Sequence, residues 1–134
     1  MRIVGCEILH CNAGWRDFSF LKLMTDENIT GISEYNECYG SPGLSGIIRR
    51  LVERVKDMDP LAHEHIHQCL YAATRQAPGG VNQQAIAAIE NALLDIKGQA
   101  LSIPVYDILG GAIRKDIPVY WSHCGTYIWR PEIA

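Results

Sequence analysis

A chain of 134 residues, 48% hydrophobic and 20% charged, has the makeup of one globular domain with a core of useful size. A net charge of −3, with basic residues paired only at Arg49-Arg50 and Arg114-Lys115, argues against a nucleic-acid surface. No apolar run approaches the roughly 20 residues that cross a bilayer, and five cysteines with no CxxC pair read as idle thiols in a reduced, cytoplasmic chain.

The N-terminal stretch MRIVGCEILH carries one basic residue and then alternates, unlike a signal peptide. Arg2 to Cys11 predicts a first strand, with Ile3 and Leu9 on one face and Val4, Cys6 and Ile8 on the other. Asn12-Ala13-Gly14 breaks it. Phe18 to Thr25 predicts a second strand, rich in aromatic and branched residues. Asp26-Glu27-Asn28 suits a turn. Ile29 to Tyr35 predicts a third strand, with Gly31 as a weak point or bulge.

The period then changes from two to 3.6. Ser41-Pro42 predicts a helix start, with Ser41 as N-cap, followed by the stripe Ile47, Ile48, Leu51, Val52 and Val55. Asp59-Pro60 repeats that signal. The second helix runs to about Gln76 on Ala62, Ile66, Cys69, Leu70 and Ala73, and Pro78-Gly79-Gly80 stops it. The third helix, Val81 to Leu101, carries Ala85, Ile89, Ala92, Leu93 and Ile96 on one face, with Ala88, Ala92 and Gly98 small enough to admit a close backbone. Pro104 restarts a short helix that ends at Gly110, and Ile117 to Ser122 predicts a last strand. The class is α+β, a three-stranded antiparallel meander followed by a helical bundle.

The run from Ala85 to Gly111 identifies more than its fold. Its centre is Ala88-Ile89-Glu90-Asn91-Ala92-Leu93-Leu94-Asp95-Ile96-Lys97-Gly98, then Pro104-Val105-Tyr106 and Leu109-Gly110-Gly111. This run closely resembles the closing stretch of the N-terminal capping domain in the enolase superfamily, in the mandelate racemase and muconate lactonizing enzyme group. Gln99 stands where Lys or Arg is frequent in that family, and Ser102 where Gly is frequent. The likeness extends over nearly the whole chain. It implies a capping domain over residues 1–111, then 112–134 as a linker and the first strand of a (β/α)8 barrel. Such a barrel typically needs roughly 250 residues, so most of the enzyme would lie outside this chain.

By the same resemblance, the parent enzyme removes the proton α to a carboxylate, and one Mg2+ stabilises the enediolate. The metal ligands and the bases sit on later barrel strands, so no residue here is assigned as catalytic or as a metal ligand. No cofactor is expected for this chain itself. In the family, the loop after the first strand and the loop after the third fold over the barrel mouth. Trp15, Arg16 and Tyr39 would then meet the distal end of a sugar acid or other small carboxylate. His123, at the end of the first barrel strand, is a second-rank binding candidate. The stretch WSHCGTY and the polar loops favour a sugar-acid dehydratase over a racemase or cycloisomerase. Apolar residues in the last segment predict a homo-oligomer.

Two other classes compete. A stand-alone, non-catalytic α+β interaction module is one, although IPVYWSHCGTYIW reads better as a cut piece. The other is a zinc hydrolase, since His63-Glu64-His65-Ile66-His67 fits H-E-x-x-H. Half-buried histidines flanking the stripe at Ile66 and Leu70 explain that pattern more simply, and Glu90 is the downstream carboxylate at a plausible distance for a third ligand. Asp95 falls near the apolar side and is expected to be a satisfied structural acid.

Overall fold

The computed structural model describes residues 1–14, 16–38 and 40–121. The strands β1 (Ile3–Asn12), β2 (Asp17–Thr25) and β3 (Thr30–Tyr35) form one antiparallel sheet in chain order. Links this short forbid a parallel crossover, which takes a dozen or more residues, so a meander is the available topology. At the second link Asn28 turns left-handed, with φ +61°. Thr25 closes that turn, donating its hydroxyl to the Ile29 carbonyl at 2.8 Å.

β2 buries Ser19, Thr25, Leu21 and Leu23 on one face, and β3 buries Gly31, Ser33 and Tyr35 in the same phase. β1 departs from the expected alternation. Its pairing slips between Ile3 and Gly5. An extra residue there reverses the side chains that follow. Ile3 is therefore buried together with the half-buried Cys6 and Ile8, while Val4 and Leu9 are exposed. No bulge occurs at Gly31, where the register runs unbroken. Gly31 instead admits a close neighbour: a Cβ there would lie 2.0 Å from the Ala92 carbonyl oxygen.

The helices are α1 (Leu44–Val55), α2 (His63–Ala73), α3 (Gly80–Leu101) and α4 (Val105–Ile108). α3 is the spine of the domain and packs on β2, β3, α1, α2 and α4. Its predicted face, Ala85, Ile89, Ala92, Leu93 and Ile96, is buried, with Ile86 and Ala88 added. α1 buries Leu44, Ile48, Leu51, Val52 and Val55 against it, while Ile47 is half-buried at the margin. Each large aliphatic residue so buried contributes about 1.5–3 kcal/mol before chain entropy is counted.

α2 lies more shallowly. Only Ile66 and Leu70 are buried, while Ala62, Cys69 and Ala73 of the expected stripe face solvent. The helix ends at Ala73, before the expected Gln76, where the Thr74 hydroxyl donates to the Leu70 carbonyl at 3.0 Å. Gly79, at φ +83°, caps the start of α3, so these glycines open α3 and do not stop α2. Asp59-Pro60 forms a turn ahead of α2, with the Leu61 N–H on Asp59 Oδ1 at 3.0 Å.

α3 also covers the outer edge of β3. Asp95 Oδ2 accepts the Ile32 N–H at 2.8 Å, and Gln99 Nε2 donates to the Thr30 carbonyl at 2.8 Å. Asp95 is thus the satisfied structural acid expected, and the edge of β3 is engaged at Thr30 and Ile32. Past α4, the Gly111 N–H bonds the Tyr106 carbonyl at 2.8 Å. Residues 117–121 carry no secondary structure and leave Ile117, Val119, Tyr120 and Trp121 exposed. The strand expected from Ile117 is not formed in that part, because no other strand lies beside it among the described residues; Ser122 lies outside them.

Candidate functional site

The two loops singled out in the sequence rise from one end of the sheet. Residues 13–16 join β1 to β2 in a tight loop. Asn12 ties it at both sides: its Nδ2 donates to Asp17 Oδ1 at 2.7 Å, and its Oδ1 accepts the Gly14 N–H at 2.8 Å. Gly14 sits at φ +82°, which glycine adopts without strain. Arg16 then crosses to β3, placing Nη2 2.7 Å from Glu34 Oε1 and its guanidinium 3.9 Å from the Phe18 ring centroid. Both partners of that ion pair remain substantially exposed.

Residues 36–43 leave β3 and enter α1. Ser41 was expected to cap α1, yet it does other work. Buried, it donates its hydroxyl to the Asn36 carbonyl at 2.6 Å and accepts the Cys38 N–H at 3.3 Å. The loop therefore folds on itself before the helix begins, and α1 starts after Gly43 at φ +81°. The capping carboxylate comes from Glu37. Its Oε1 accepts the Gly43 N–H at 2.9 Å and its Oε2 the Ser45 N–H at 3.0 Å; the Ser45 hydroxyl bonds Oε2 as well. Ser45 Oγ also lies 2.7 Å from the Tyr35 hydroxyl. A carboxylate suits the N–H groups left open at a helix start.

These contacts set the protonation states. Burial pushes the Glu37 carboxyl up, but the hydrogen bonds from the Ser45 hydroxyl and the Ser45 and Gly43 N–H groups outweigh it, so its pKa is lowered overall. Burial raises the Tyr35 hydroxyl and the Cys6 thiol above their ordinary ranges.

The loops share an opening. A cleft of about 700 Å³ is lined by Arg16 from the first loop, by Asp17 at the start of β2, and by Asn36, Glu37, Cys38 and Gly43 from the second loop. A second cleft, about 340 Å³, lies behind the 36–41 stretch and adds Gln84 and Asn91 of α3. Of the binding residues read from the sequence, Arg16 stands at the larger cleft. Trp15, Tyr39 and His123 lie outside the described residues. Sequence reasoning missed Glu37, Asn36, Gln84 and Asn91. Glu37 caps from six to eight residues upstream, so the short-range spacing of a capping box could not signal it.

The H-E-x-x-H stretch is spread over different partners. His67 Nδ1 lies 3.0 Å from Glu90 Oε2, while His63 Nδ1 lies 3.3 Å from Lys97 Nζ. Among the described residues no three His, Cys, Asp or Glu side chains come together as a metal cradle.

The comparisons agree with this architecture. The family model for the mandelate racemase / muconate lactonizing enzyme N-terminal domain matches residues 11–110. A D-galactonate dehydratase of Xanthomonas axonopodis pv. citri is 35% identical over 127 residues, covering 90% of this chain and 31% of that protein. The chain thus spans about a third of the length of this curated relative. A Burkholderia xenovorans structure, provisionally named an L-alanine-DL-glutamate epimerase, shares 46% identity at a TM-score of 0.90, over 95% of this chain and 32% of that one. A second structure of that name and source, bound to magnesium and fumarate, matches at 47% and 0.88, over 93% and 31%. An Agrobacterium radiobacter enolase, provisionally a galactarate dehydratase, holds sodium and L-malate and matches at 28% and 0.77, over 85% and 29%. A sheet-and-bundle domain with two loops at one opening, matched over residues 11–110, belongs to the mandelate racemase / muconate lactonizing enzyme family as its N-terminal capping domain.

Proposed function

We propose that residues 1–111 cap an enzyme that abstracts the proton α to a carboxylate, and that 112–134 form a linker and the first strand of a (β/α)8 barrel. The observation that carries the reading is the meeting of loops 13–16 and 36–43 at one cleft, in a chain of this family. The family match ending at residue 110 and the exposed apolar side chains of 113–121 support the division. Magnesium belongs to the proposal for the complete enzyme, with ligands outside the described residues; bound, it would stabilise the enediolate. The part played by this chain is to enclose and orient substrate. Arg16 has a fork of donors suited to a carboxylate or vicinal hydroxyls, and Trp15, Tyr39 and His123 are the other contacts proposed.

The substrate class is a sugar acid and the reaction dehydration, as in the curated relative named a D-galactonate dehydratase. A second reading has a specific observation behind it: identity is higher, at 46%, to the structure provisionally named an epimerase. Both begin with the same proton abstraction. The enzyme is proposed to be cytoplasmic and homo-oligomeric.

One experiment separates the readings. The complete enzyme, with Mg2+, is incubated in D2O with a panel of sugar acids and with acidic dipeptides, and followed by proton NMR. Sugar acids losing water to 2-keto-3-deoxy products are expected. Deuterium entering a dipeptide α-carbon without loss of water would assign epimerisation instead. The 134-residue chain alone is expected to be inert with either panel. Clear turnover by that chain, free of host enzyme, would sink the capping-domain proposal.

A further inference from the structure

The loop of residues 36–43 borders both clefts, and its shape decides what each can hold. Within the loop, Ser41 ties itself to Asn36 and Cys38. Backbone carbonyls of Ser41 and Gly43 accept from Leu44, Gly46 and Ile47 of α1, and the side-chain hydrogen bonds between the loop and α1 centre on Glu37. One carboxylate takes the Gly43 N–H, the Ser45 N–H and the Ser45 hydroxyl. Ser45 is buried and carries the contact on to the buried Tyr35 at the end of β3. The chain Glu37–Ser45–Tyr35 thus pins the loop at once to the first turn of α1 and to the sheet. Arg16 approaches the same cleft from the other loop, paired to Glu34 of β3.

We infer that Glu37 is a positioning residue: its carboxylate locks the 36–43 loop onto α1 and thereby fixes the shape of the cleft that receives substrate. This inference rests on the capping-domain reading proposed above. Glu37 need not touch the reacting atoms. A locked loop presents its contacts already ordered, so substrate binding does not have to supply that ordering. Charge-assisted hydrogen bonds are the strong kind, and Glu37 accepts three of them, two from backbone N–H groups and one from a hydroxyl.

The lock is tested by amide hydrogen exchange on the 134-residue chain, comparing wild type with Glu37→Gln. The amide keeps the shape of the carboxyl but not its charge, and its nitrogen cannot accept a bond. Residues 38–45 are expected to exchange about tenfold faster, while β2 and α3 stay protected. Ser45→Ala, which removes only the hydroxyl, is expected to shift the same residues by less and keeps the test open if Glu37→Gln fails to fold. Unchanged exchange in both variants would overturn the inference.

The consequence is read in the complete enzyme. There Glu37→Gln is expected to raise KM by roughly tenfold while kcat changes much less, a split that loss of stability alone does not produce. Glu37→Asp keeps the charge and is expected to recover part of the loss. If Arg16→Ala raises KM and Glu37→Gln does not, the positioning role alone is overturned. If neither raises KM, the loops do not receive substrate, and the functional proposal falls together with this inference.

Discussion

A single hydrogen atom at Gly31 lets the sheet lie directly on α3. A methyl group there would sit 2.0 Å from the Ala92 carbonyl oxygen and 2.8 Å from Ile96 Cγ1. The nearer obstacle is helix backbone, which cannot swing aside as a side chain can. Gly31→Ala is expected to destabilise the chain by about 3 kcal/mol or more, through overpacking of a close-packed layer; urea unfolding of the two proteins measures it. An unchanged midpoint would mean that β3 and α3 part easily. The sequence showed a glycine in a strand but could not tell a bulge from a close approach, because the deciding atoms lie more than 60 residues away. Arg16 poses the opposite case. Its ion pair with Glu34 is exposed, so Arg16→Ala is expected to cost under about 1 kcal/mol of stability. In the complete enzyme the same change is expected to lower kcat/KM strongly for the best sugar acid and leave Mg2+ affinity nearly intact. An unchanged kcat/KM would make Arg16 a strut for the loop and nothing more.

Among elements, the buried face of α3 and the starts of α3 and α4 were legible, while the start of α1 and the stripe of α2 were not. The face Ala85, Ile89, Ala92, Leu93 and Ile96 follows from the 3.6-residue period, and all five are buried. The start of α1 misled because Ser41-Pro42 has the local form of a cap, while the capping carboxylate arrives from Glu37 across a loop. α2 misled differently: Cys69 and Ala73 are apolar enough to join a stripe, but α2 rests on the bundle through little more than Ile66 and Leu70. The Glu37 cap carries a pH dependence of definite sign. Its folded pKa is lowered from the ordinary 4.5. Its contribution to stability is therefore fully present above about that value and is lost as pH falls through the lower folded pKa. Thermal melts from pH 7 down to 3 are expected to fall less steeply below pH 4.5 for Glu37→Gln than for wild type. Parallel curves would remove Glu37 from the acid response.

At the scale of the whole molecule, the core and the surface beyond α3 obey different rules. The sheet and three long helices bury their apolar faces on one another, with no buried side-chain polar atom unpaired among the described residues. From residue 101 onward the balance reverses. Leu101, Tyr106, Leu109, Ile113, Ile117, Val119, Tyr120 and Trp121 are all more than half exposed, Ile113 at 97%. So many exposed large apolar side chains over one short stretch of chain are uncommon on a free surface and point to a place where something else packs. The sequence pattern there is a good strand pattern, which is why Ile117 onward reads as a strand; pairing is what the described residues do not provide. Two expectations follow from the same physics. Joined to a barrel, the segment is covered; on the isolated chain, it finds other copies. Light scattering on the 134-residue chain is therefore expected to give dimers or larger species that dissociate on dilution. Truncation after Gly111 removes Ile113 through Trp121 and leaves every buried residue of the core in place. It is expected to shift the distribution towards monomer without lowering the unfolding midpoint. If the truncated chain keeps the same size distribution, association runs through another surface, and the exposed outer face of the sheet at Leu9 and Ile32 becomes the next to mutate.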